Sequence, residues 1–160
     1  MATIPARPPV SRSPSGPQGP SLRAARAHRL TLLADMQGVE RALAVPAGDP
    51  RWRQRVAARV GALGRAFGEH MVMTEGHDGL YAELLDHAPR LTRGVHVLIR
   101  EHAVVLDSIT ALRARLDHPE TTIDQIRCWG GDLLRELSRH RQRGADLVYQ
   151  AYQIDIGGET

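Results

Sequence analysis

Residues 91–116 read LTRGVHVLIREHAVVLDSITALRARL, and the seam residues return on a fixed beat: Leu91, Val95, Leu98, His102, Val105, Ile109, Leu112, Leu116. The steps alternate between four and three residues. An average of about 3.5 keeps one narrow helix face toward its neighbours along the whole length, as in bundles packed at shallow angles. A strand would need alternation every second residue, and the stretch has none. It is therefore read as a bundle helix, and the single polar residue on its seam is His102.

Three other stretches keep the same beat. One runs Val56, Val60, Leu63, Phe67, His70, Thr74, His77, Tyr81, Leu84; another runs Ile123, Ile126, Gly130, Leu133, Leu137, His140, Gly144, Leu147, Ala151, Ile154. The first in the chain is shorter: Ala25, His28, Leu32, Asp35 with Met36, Val39, Ala42 with Leu43. Pro46, Gly48, Asp49 and Pro50 stop that helix and let the next begin near Arg51. Pro89 disfavours helical geometry at Ala88, Pro119 marks the third turn, and Thr122 with Gln125 forms a capping box. Gly157 and Gly158 close the last helix. All three connections are short, which predicts antiparallel neighbours and an all-α, up-down-up-down four-helix bundle.

The chain has 160 residues, enough for one buried core. Residues 1–20 hold six of the ten prolines among Ser, Gly and Arg, a composition expected to form a disordered tail; residues 21–160 form the bundle domain. The tail has no apolar stretch of a signal peptide, and no later segment is apolar enough to span a bilayer, so a cytoplasmic location is expected. Cys128 stands alone, consistent with a reducing compartment. The net charge is +3, and all 21 basic residues are arginines. They read as solvated helix faces, because no interleaved aromatics or nucleic-acid motif accompany them. No nucleophile–base arrangement, phosphate loop or nucleotide fingerprint is present.

The histidines are the unusual feature. Counted from the Gly48 and Pro119 end, His28, His70, His102 and His140 lie 20, 22, 17 and 21 residues along their helices. That spread corresponds to about 7 Å of helix rise, which side-chain reach largely absorbs. His77 falls one layer further out, in a glycine-flanked stretch where the helix is expected to loosen; His87, His96 and His118 lie off the seams. A single seam histidine is ordinarily a hydrogen-bonded core residue. Four at one level, one per helix, are hard to satisfy with protein groups, and a metal ion satisfies all of them.

The stretch His70-Met-Val-Met-Thr-Glu-Gly76, the pair Glu101-His102, the stretch His140-Arg-Gln-Arg-Gly-Ala-Asp-Leu147 and the ending AYQIDIGG at 151–158 resemble hemerythrin-like (HHE cation-binding) domains of actinobacterial type. The resemblance spans roughly residues 22–158. It implies a non-haem iron centre of up to two ions and a small diatomic ligand, dioxygen or nitric oxide, or a role in redox or iron handling. The metal set it implies is His28, His70, Glu75, His102, His140 and Asp146.

The acids depart from the family pattern. Position 74 is Thr and position 144 is Gly, where the family places a bridging acid; Glu75 keeps an accepted spacing, and Asp146 does not. Six residues turn Asp146 about 120° from His140. Each acid has an ordinary alternative as an exposed flank residue, paired with an arginine such as Arg143. Glu101 reads as a partner of a ligand or as a surface group. Tyr149 and Tyr152 are candidate hydroxyls near the site or plain interface residues. Two other functional classes remain: a bundle holding haem or a single ion, and a metal-free interaction protein whose site has decayed.

Overall fold

The computed structural model describes residues 19–153, all helix and turn with no strand among them. Four long helices, α1 (Pro20–Ala44), α2 (Trp52–Glu75), α4 (Thr92–Asp117) and α5 (Ile123–Gln153), accompany a short one, α3 (Leu80–His87). The chain is an all-α bundle, and no helix among the described residues is long and apolar enough to cross a membrane. The expected tail lies outside the described residues up to position 18, and Pro20 already belongs to α1. Ile154 and the Gly157–Gly158 stop also lie outside them.

The punctuation acts as its chemistry requires. Thr122 and Gln125 exchange the two bonds of a capping box, Gln125 N–H to Thr122 Oγ1 at 3.2 Å and Thr122 N–H to Gln125 Oε1 at 3.0 Å. Ala88, ahead of Pro89, leaves helical geometry with φ −138° and ψ 76°, and Pro89–Leu91 form a 3₁₀ turn. Two arginines close helix ends instead of lying in solvent. Arg127 donates to the carbonyls of Leu43 and Val45 at 3.0 Å each, satisfying orphan acceptors at the end of α1. Arg53 donates to the carbonyls of His118 and Thr121 beyond α4.

The second stretch departs from its expected single helix. α2 ends at Glu75, and the chain turns through Gly76 and Gly79 before α3 begins. A Cβ at Gly76 would lie 2.6 Å from the Val72 carbonyl oxygen, and one at Gly79 2.8 Å from those of Met73 and Thr74. Only glycine lets the chain fold this tightly against the end of α2. His77 is consequently thrown into solvent, while Tyr81 and Leu84 return to the core.

The seams bury two apolar clusters. One gathers Leu32, Met36, Val39, Val60, Leu63, Phe67, Val105, Ile109, Leu133 and Leu137 among others. The second gathers Leu22, Leu80, Tyr81, Leu84, Leu91, Val95, Leu98, Leu147 and Ala151. Along the chain each seam histidine falls between the two: His28 between Leu22 and Leu32, His70 between Phe67 on α2 and Leu80 on α3, His102 between Leu98 and Val105, His140 between Leu137 and Leu147. A polar layer thus divides the core.

Candidate metal centre

Three of those histidines converge. Nε2 of His70 lies 3.2 Å from Nε2 of His140 and 3.2 Å from Nε2 of His102, and the last two are 3.0 Å apart. The seam beat brings them together, because each sits where its helix faces the centre. His102 is fully buried, His140 nearly so, and His70 has an edge on a small cavity. Phe67, one turn before His70, closes the site on the side of the first apolar cluster, with ring centroids 5.6–6.2 Å from all three imidazoles.

The outer nitrogens are held by acids. His102 Nδ1 donates to Glu75, the last residue of α2, and His140 Nδ1 donates to Glu101 Oε2 at 2.9 Å. Glu101 is itself held by an ion pair with Arg143, one turn beyond His140 on α5. A carboxylate behind a histidine fixes the tautomer with Nδ1 protonated, so that the Nε2 lone pair points inward. The Tyr81 hydroxyl on α3 lies 3.3 Å from His102 Nε2. Burial pushes its pKa up, which keeps it a hydrogen-bond donor.

Protein groups alone satisfy this arrangement poorly. Tyr81 can donate to His102 and His70 can donate to His140, but that leaves two proton-free nitrogens, Nε2 of His102 and of His140, in contact at 3.0 Å with no hydrogen between them. Protonation is not the remedy. Burial first, then the neighbouring imidazoles, lower the pKa of His70 to about 3; burial lowers that of His140 to about 4. His102 is also lowered by burial, against the opposing effect of Glu75. A cation fits where protons do not. For nitrogens so spaced, the equidistant point lies about 1.8 Å from each, just inside the about 2.0–2.1 Å of a metal–imidazole bond. His70, His102 and His140 would hold a cation there through their Nε2 atoms.

The other residues expected at the site stand elsewhere. His28 donates from Nε2 to the Ala66 carbonyl at 3.0 Å and stacks on His70 with centroids 6.2 Å apart, so its ring is satisfied by backbone. Glu75 reaches the site only through His102 Nδ1. Asp146 is exposed and bonded to Gln142 at 2.9 Å, turned away from His140 as its six-residue spacing dictates. Tyr149 is exposed, and Tyr152 bonds to Glu83 at 3.2 Å. The hydroxyl at the site belongs to Tyr81, which sequence reading left as an ordinary seam residue.

Beside the triad lies a cavity of about 40 Å³. His28, His70, His140, Tyr81 and Thr74 form its polar wall with Arg29 and Arg141, and Ala25, Leu32, Leu80, Leu84 and Val148 its apolar wall. Gly144 opens it, since a Cβ built there meets no atom within 4 Å. Comparison with known proteins adds nothing further: no family model, curated protein or solved structure matches this chain.

Proposed function

We propose that the chain is a hemerythrin-like bundle of up-down-up-down, antiparallel topology that holds non-haem iron and presents it to a small ligand. The observation that carries this reading is the convergence of three Nε2 atoms within 3.2 Å of one another, with two of the outer nitrogens tied to carboxylates. The short turns, and the joint membership of Leu22, Leu84, Val95, Leu98 and Leu147 in one apolar cluster, support the topology.

The donor set favours one ion over two. His70, His102 and His140 would hold it, and the group that could hold an ion among the described residues contains no carboxylate to bridge a second. Imidazole donors suit iron, zinc and copper alike, and iron is chosen on the family resemblance. When bound, the metal supplies an open coordination position for a diatomic molecule such as dioxygen or nitric oxide.

The chain's own residues prepare that position. Glu75 and Glu101 accept the Nδ1 protons of His102 and His140, which raises imidazole basicity and fixes ring orientation. Phe67 keeps water from the side facing the first apolar cluster. Tyr81 offers its hydroxyl beside His102 Nε2, and the cavity admits a molecule of a few atoms. A cytoplasmic setting would keep the exposed Cys128 reduced.

Thermal melting with and without iron(II) tests the proposal. Bound metal raises the melting temperature of the wild type, chelation reverses the rise, and His102→Ala abolishes the response. A wild type indifferent to both iron and chelator overturns it.

A further inference from the structure

Two arginines share the cavity beside the triad. Arg29 comes from α1 and Arg141 from α5, next to His140, and both line the cavity together with His70 and His140. They repel each other, and burial together with Arg141 lowers the pKa of Arg29. Arg141 Nε is buried without a hydrogen-bond partner. A buried guanidinium nitrogen left without an acceptor is costly, and a second guanidinium beside it adds to the cost.

The nearby acids are engaged elsewhere. Glu75 and Glu101 sit behind His102 and His140, Glu101 also pairs with Arg143, and neither acid lines the cavity. Glu69 is exposed, 4.0 Å from His28 Nδ1. The positions one turn beyond His70 and His140, on the cavity side, carry Thr74 and Gly144. The cavity therefore gathers positive charge, supplies none of the opposite sign, and has empty space at Gly144.

We propose that this cavity binds a small planar oxyanion, nitrite- or carboxylate-like, held by Arg29 and Arg141 against the open side of the histidine triad. The planar guanidinium fork matches two oxygens of such an anion. The volume of about 40 Å³ corresponds to about three water-sized centres, at about 10–15 Å³ each. This rests on the metal reading and refines it: the ligand is an anion before it is a neutral diatomic molecule.

The test uses cobalt(II)-loaded protein and sodium nitrite as the probe at pH 7 and constant ionic strength. Cobalt content is measured first, and nitrite is then followed through the visible cobalt bands. Wild type is expected to respond with sub-millimolar affinity. Arg29→Gln and Arg141→Gln each weaken it at least tenfold at unchanged cobalt content, and Arg59→Gln, on the far groove between α1 and α2, leaves it unaltered. If Arg141→Gln fails to fold, Arg29→Gln carries the same readout. Cobalt bound with no nitrite response, or with equal affinity in the variants, overturns the anion site alone. Absence of cobalt from the wild type overturns the metal reading and this one with it.

Discussion

At the scale of single residues, a histidine is defined here by what lies behind it. His102 and His140 each have a carboxylate on Nδ1, whereas His28 spends its Nε2 on the Ala66 carbonyl. Glu101→Gln and Glu75→Gln are therefore expected to lower metal affinity by about 10–100-fold without unfolding the chain, as measured by competition with a chelating dye. His28→Ala should leave metal stoichiometry unchanged in the same assay. The pH dependence follows from burial. His70 and His140 titrate near 3 and 4 when folded, so below about pH 6.5 the unfolded chain binds protons that the folded one does not. Metal-free protein should lose about 1.4 kcal/mol per pH unit for each such histidine as pH falls. Urea midpoints at pH 7 and pH 5.5 measure it, and an unchanged midpoint would contradict neutral, buried imidazoles. The triad was legible in sequence because a seam position fixes direction. Which acid faced which nitrogen was not, since that depends on helix rotation and on where α2 stops.

At the scale of elements, the break after Glu75 does most to complete the site. Gly76 and Gly79 end α2 where Glu75 meets His102, and they return α3 so that Tyr81 meets the same ring. The four-three beat read straight through this break, because α3 resumes the apolar pattern after it; only the glycines around His77 hinted at the interruption. Elsewhere the prolines and the capping box fall at the turns between the long helices: Pro46 to Pro50 between α1 and α2, Pro89 before α4, Pro119 and Thr122 before α5. Glycines of equal appearance on α5 differ in role. A Cβ at Gly130 lies 2.6 Å from Leu43 Cδ1 on α1, while one at Gly144 meets nothing. Gly144→Ala should raise stability by up to about 1 kcal/mol through helix propensity. Gly130→Val should lower it by about 1–3 kcal/mol through overpacking. Thermal or urea melts of the two variants check both, and opposite signs are expected.

At the scale of the whole molecule, a polar layer separates two apolar clusters, and its stability depends on what occupies the layer. An ion that binds the folded chain alone stabilises it by mass action, by about 4 kcal/mol at a thousandfold excess over its dissociation constant. The layer is also why the fold was easier to read than the chemistry. Bundle geometry follows from the spacing of apolar residues, whereas a second bridged ion would call on Asp146, whose angular position on α5 leaves it exposed and bonded to Gln142. The proposed centre holds one metal ion per chain, through His70, His102 and His140. Elemental analysis of protein produced in iron-replete medium, with its absorption spectrum, tests it most directly. One iron per wild-type chain, falling to none in His102→Ala, is the expected result; a well-folded wild type with no bound metal, or with two irons per chain, would contradict it.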